Sequence, residues 1–121
     1  MDQEKAIQNE IDDAIFNFTL GENEKASKQL ERLIKENPGV SSAWHALAEI
    51  FLSEKAYEKA LKAAEKASEL EPNDLHINTT LSRIWVQIGD QKKAEQYNAQ
   101  ARMLGWKEEL KEPPPSPPQG N

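Results

Sequence analysis

One fixed interval, recurring along the chain, constrains it more than any other feature. Ala26, Ala60 and Ala94 stand 34 apart, and so do the pairs Pro38–Pro72, Leu47–Leu81, Phe51–Trp85, Ala67–Ala101 and Leu70–Leu104. A fixed offset shared by so many apolar and helix-ending positions marks an array of equivalent units. Three units follow, at about 7–40, 41–74 and 75–108.

Each unit reads as two helices. In the second, Ala43, Trp44, Leu47, Ala48, Phe51 and Leu52 have the 3.6-residue spacing of one buried face. A break near Ser53-Glu54 separates them from a second face made by Ala60, Leu61, Ala64, Ala67 and Leu70. Pro72 cannot continue that helix and restricts Glu71 before it. Asp74 suits the N-cap of the next helix. Leu20-Gly21-Glu22 and Gly89-Asp90 mark the inner turns of the first and third units. Alanine at one phase in all three units needs more than helix propensity to explain it. Antiparallel helices approach closely only where side chains are small, and overpacking such a contact costs about 1–3 kcal/mol.

This pattern resembles the tetratricopeptide repeat. The second unit carries it best, with Trp44, Leu47, Ala48, Phe51, Ala60, Ala67 and Pro72. The third keeps Leu81, Trp85, Gly89, Ala94 and Ala101, and departs at Asn78 and Trp106, where an aromatic residue and a proline are usual. The first keeps Gly21, Ala26 and Pro38, but has Glu10, Asp13 and Asn17 where Trp, Leu and Tyr are usual. Its apolar residues Ile7, Ile11, Ala14, Ile15 and Phe18 still form a helical face. They suggest a helix from about Gln3 to Leu20, rotated or slipped by one or two residues. The resemblance implies an all-α fold: a right-handed superhelical solenoid of three helix-turn-helix repeats, about six helices, over residues 1–110. Residues 111–121 read as a disordered proline-rich tail, in which Pro114 and Pro117 have the spacing of a polyproline ligand.

The resemblance also implies a concave groove lined by the first helix of each unit. The matching positions are Ser42, His45, Glu49 and Leu52 in unit two, and His76, Thr79, Arg83, Val86 and Gln87 in unit three. Unit one supplies Gln8, Asp12, Ile15 and Thr19, subject to the slip. Arg83 and the histidines would there meet a carboxylate or backbone of a protein or peptide partner. Family members that clamp the acidic tails of heat-shock chaperones use Lys, Asn and Arg at fixed groove positions. Here those positions hold Ile11, Ile15, Ala46, His76 and Thr80, so binding of such tails is not expected.

Charge and motifs narrow the rest. A net charge of −6 with no basic groove disfavours nucleic acid. No run reaches the roughly 18 apolar residues of a membrane span, and the acidic start MDQEKAIQNEIDD does not read as a signal peptide. With no cysteine, the expected setting is cytoplasmic. No phosphate loop, metal-ligand spacing or nucleophile motif is present, so no cofactor, metal or enzymatic role is expected. Two histidines without a third ligand do not make a metal site. Trp44 and Trp85 belong to the packing faces. Trp106 differs: it follows Gly105, read as a C-cap, and with Leu110 it could start a short extra helix covering the last repeat. Tyr97, Met103, Leu104 and Trp106 would otherwise leave apolar surface in water, which suggests a homodimer through this end.

The leading expectation is a protein-interaction module, a scaffold or adaptor holding a peptide or helix in the groove. The second is an assembly factor that works through its ends, and the third a regulator binding a small ligand between units.

Overall fold

The structure is a computed structural model, and it describes residues 2–111. It consists of six helices: α1 (Asp2–Thr19), α2 (Asn23–Glu36), α3 (Ser41–Ser53), α4 (Tyr57–Leu70), α5 (Leu75–Ile88) and α6 (Gln91–Lys111). There are no strands among the described residues. Consecutive helices pair into the hairpins α1–α2, α3–α4 and α5–α6, and the hairpins stack in chain order. The stack is an all-α helical repeat solenoid. The proline-rich stretch, with Pro114 and Pro117, lies outside the described residues.

Small residues fill the helix crossings. Ala14, Ala26, Ala48, Ala60, Ala64 and Ala67 are all fully buried. The third hairpin shows what the smallness serves. Ser82 is the counterpart of Ala48 one repeat later. Its hydroxyl donates to the Ala94 carbonyl at 2.8 Å, side chain against backbone. Larger apolar residues (Ile50, Ile77, Leu81 and Ile84) fill the space between stacked hairpins.

Three identical inner turns set the phase. Glu22, Ala56 and Asp90 each donate their amide to the carbonyl five residues back, on Asn17, Phe51 and Trp85, at 2.9–3.0 Å. The residue just before each donor is left-handed: Gly21 at φ 86°, Lys55 at φ 63° and Gly89 at φ 99°. Every one of these positions recurs once per repeat. The first hairpin is therefore in register with the others, and the expected rotation or slip of its first helix does not occur.

The unusual residues of α1 have another cause. Ala43, Leu47 and Ile50, like Ile77, Leu81 and Ile84, are buried. Their counterparts in α1 are Asn9, Asp13 and Phe16, and all three are exposed. Within its own hairpin α1 uses a polar chain. Gln29 donates to Asp13 at 2.8 Å and accepts from the buried Asn17 at 3.1 Å. A similar substitution accounts for Asn78. Trp44 donates its indole N–H to the Pro38 carbonyl at 2.9 Å, and Asn78, its counterpart one repeat later, donates its amide to the Pro72 carbonyl at 3.1 Å.

Proline decides where each second helix stops. Asn37 and Glu71 precede prolines and leave the helix with nearly the same dihedrals, φ −134°, ψ 73° and φ −137°, ψ 76°. In the third hairpin Trp106 replaces the proline, so α6 runs on unbroken to Lys111. Gly105 is an interior helical residue rather than a C-cap, and the expected separate covering helix is a continuation of α6. At the other ends, Asp74 caps α5 by accepting from the Ile77 amide at 2.9 Å, and Asp90 accepts from Lys93 at 3.0 Å.

Two stability effects follow. Lys55 occupies a conformation that costs a side-chain-bearing residue about 1–2 kcal/mol. Lys55→Gly should stabilise the fold by about 1 kcal/mol, while Gly89→Ala should destabilise it by a similar amount, both read by urea denaturation. Gly105→Ala should also stabilise, by about 1 kcal/mol, because its added Cβ would meet only Leu75 side-chain carbons, at 3.7 Å or more. A loss of stability in Gly105→Ala would restore the C-cap.

Candidate functional site

One face of the stack is built from α1, α3 and α5, which touch one another in order, and the period arranges it in rows. One row is Phe18, Leu52 and Val86, another is Ile15, Glu49 and Arg83, and a third is Thr19, Ser53 and Gln87, each step being one repeat. Phe18, Leu52, Ser53, Val86, Gln87, Glu49 and Arg83 meet with Lys55 and Tyr57 around an open cleft of about 510 Å³. Leu52 is nearly covered, at 8% exposed, while Val86 stands 59% exposed. Tyr57 donates its hydroxyl to Gln87 across the cleft at 3.2 Å. The cleft thus has an apolar strip of three side chains and a polar rim.

The polar side is organised around Glu49. Arg83, one repeat later on α5, donates through Nη1 to both carboxylate oxygens, at 3.2 and 3.1 Å. The Thr80 hydroxyl donates to Oε2 at 2.6 Å and also lies 3.0 Å from the His76 carbonyl. His45 Nε2 sits 2.7 Å from the Thr80 oxygen and 3.6 Å from Glu49 Oε2. With the threonine proton directed to Glu49, the imidazole donates to the threonine oxygen, which requires a proton on Nε2. The His45 imidazole, with the Thr80 hydroxyl and Arg83, holds the Glu49 carboxyl at about 2 against the opposing effect of partial burial. A charged carboxylate here ties the second hairpin to the third.

The expected groove residues divide accordingly. Glu49, Leu52, Arg83, Val86 and Gln87 come together at the cleft. His45 lies beside it, half-buried and engaged by Thr80. Thr79 is exposed, with its hydroxyl turned back to the Leu75 carbonyl at 3.0 Å. Ser42 and His76 are exposed toward the other end of the helices. On α1, Gln8 donates to Asp12 at 3.0 Å, Ile15 is 42% exposed, and Thr19 donates to the Phe16 carbonyl. Phe18, Ser53, Lys55 and Tyr57 were not among the expected residues. The period alone reaches Phe18 and Ser53, which stand one repeat before Leu52 and Gln87. Lys55 and Tyr57 come from the inner turn and the start of α4, whose approach to the groove no spacing announces.

Of the four residues expected to self-associate, Tyr97 packs against the core and Leu104 is half-buried beside Leu75. Met103 and Trp106 face outward on α6, 54% and 67% exposed. Among the described residues no three His, Cys, Asp or Glu side chains gather as a metal site requires, and no helix is long and apolar enough to cross a membrane.

Residues 41–74 match the family model described as Tetratricopeptide repeat. Tetratricopeptide repeat protein 37 of Xenopus laevis is 31% identical over 80 residues, 66% of this chain and 5% of that protein. Human Superkiller complex protein 3 is 30% identical over the same shares. The chain thus spans a small fraction of these relatives' length. Among solved structures, the second repeat domain of Spaghetti (RPAP3), bound to the HSP90 peptide SRMEEVD, superposes with a TM-score of 0.77 at 20% identity. That match covers 86% of this chain and 99% of the other. MamA superposes at 0.76 with 23% identity, covering 80% and 57%.

The lowered Glu49 pKa has a measurable consequence. A carboxylate with a lowered folded-state pKa stabilises the fold fully above its unfolded value, near 4.5, and loses that contribution as pH falls toward 2. In urea denaturation, Glu49→Gln should be less stable than the parent at pH 7. The gap should close progressively between about pH 4.5 and pH 2. An unchanged gap at pH 2.5 would mean that the carboxylate charge plays no part.

Proposed function

The chain is a tetratricopeptide repeat protein, and we propose that it works as a protein-interaction module, a scaffold or adaptor that holds an extended peptide segment in its concave cleft. One observation carries this reading: an apolar strip of Phe18, Leu52 and Val86 beside a cationic rim of Lys55 and Arg83. The strip offers water-exposed apolar surface to one or two apolar side chains of a ligand. Arg83 is half spent. Among the described residues only its Nη1 is bonded, and its side chain is 55% exposed. Its remaining N–H donors, with the Lys55 ammonium, suit a carboxylate or backbone carbonyl lying beside the apolar anchor.

Preorganisation supplies the mechanism. The Glu49 pair holds Arg83 in place before any ligand arrives, and the cleft walls are rigid helices, so little side-chain ordering remains to oppose binding. The chaperone-tail chemistry of the RPAP3 neighbour is not carried over. Of the positions matching that clamp, Ile11 and Thr80 are buried, and Ile15, Ala46 and His76 offer no Lys, Asn or Arg.

A displayed peptide library selected on the full chain tests the reading. Recovered sequences should share an apolar residue next to an acidic one. Val86→Asp, at an exposed position that leaves helicity by circular dichroism unchanged, should weaken their binding at least about tenfold, roughly 1.4 kcal/mol. Arg83→Ala should weaken acidic peptides more than their amidated counterparts. Peptides that bind the parent and Val86→Asp equally would remove the cleft as the binding site.

A further inference from the structure

The outer face of α6 departs from its counterparts in α2 and α4. Ala99 replaces Glu31 and Glu65, Met103 replaces Lys35 and Glu69, and Trp106 replaces Pro38 and Pro72. With Leu110 these residues form a stripe spaced four, three and four apart, the seam spacing of a two-helix pair. Met103, Trp106 and Leu110 are 54%, 67% and 75% exposed. Ala99, Arg102, Met103 and Trp106 surround a shallow recess. None of the stripe's residues lines the cleft between the first helices, so it is independent of the peptide reading.

We propose that this stripe pairs with the same stripe of a second copy of the chain, the two α6 helices running antiparallel. Charge and size on α6 select that occupant and that direction. Setting Met103 against the partner's Trp106 also sets Ala99 against the partner's Leu110, small against large, and the two-fold axis repeats both contacts. Arg102 and Glu109 flank the seam on one edge, each just before a seam residue. The antiparallel register brings Arg102 beside the partner's Glu109, twice per dimer, as opposite charges. On the other edge it brings Gln100 beside the partner's Lys107, with no like-charge pair. A parallel register would stack Trp106 on the partner's Trp106 and set Arg102 beside the partner's Lys107, two cations.

Sedimentation equilibrium of the full chain over micromolar concentrations reads the pairing, together with charge exchange. The parent should dimerise. Arg102→Glu alone and Glu109→Arg alone should each weaken the dimer at least about tenfold, and the double exchange should recover most of that loss. Trp106→Glu, at an exposed position, should give a monomer of unchanged helicity. A monomeric parent would overturn the proposal, as would a double exchange as weak as either single one. So would a dimer that appears only after removal of residues 112–121, because the stripe's occupant would then be the chain's own tail.

Discussion

The structure depends on how closely two helices of one hairpin can approach. Ala14, Ala48 and Ser82 on the first helices, and Ala26, Ala60 and Ala94 on the second, recur once per repeat and are all buried. The Ser82 hydroxyl shows how little room is left, since it reaches the backbone of the facing helix directly. Close pairing brings alanine-rich helices, with little apolar area of their own, near enough for dispersion contacts to add up. The left-handed residues at 21, 55 and 89 then fix the direction in which each chain returns. With pairing and return both fixed, stacking the hairpins generates rows of equivalent positions along the face made by the first helices.

Those rows are where chemistry differs between repeats without disturbing the fold. The position occupied by Ile15, Glu49 and Arg83 is apolar, acidic and basic in turn. Because the rows bring equal positions of neighbouring hairpins together, an acid in one and a base in the next become an ion pair across the stacking interface. The same pair that joins the second hairpin to the third also orients a guanidinium at the cleft. Stability and candidate recognition therefore share Glu49, and its lowered pKa reflects the partners that give it both roles.

Much of this architecture was legible in the residues. The period, the alanine phase, the prolines ending α2 and α4, and the cap at Asp74 are local or strictly periodic signals. Two readings went astray where a local signal competed with the period. In α1 the residues Asp13 and Asn17 suggested a rotated helix, because an apolar pattern cannot distinguish a shifted helix from one whose polar residues bond within their own hairpin, as these two do through Gln29. At Gly105 a glycine near an expected helix end suggested a cap. The missing proline at 106 was the stronger signal, since nothing there forces residue 105 out of helical geometry. The hydrogen bond shared by Trp44 and Asn78 was legible in neither, because two unlike side chains reach one equivalent carbonyl only once the loop geometry is fixed. Of the cleft, the period reaches Phe18 as directly as it reaches Val86, whereas Tyr57 enters through the tertiary packing of α4 against α5.

The outer face of α6 shows the reverse of this coupling. Positions such as Ala99 and Met103 are exposed, and in the first two repeats they carry Glu or Lys. Replacing those charges by apolar side chains gives the monomer no buried area: Met103, Trp106 and Leu110 remain mostly in water. The continued helix also costs backbone entropy from residue 105 to Lys111, for side chains that bury little. Such an extension is unfavourable for a lone hairpin and reasonable for a helix that acquires a neighbour, because burial of the same three side chains then offsets the ordering. Loss of the proline and gain of the apolar stripe are thus two aspects of one change, and both mark the outer face of α6 as a surface distinct from the cleft.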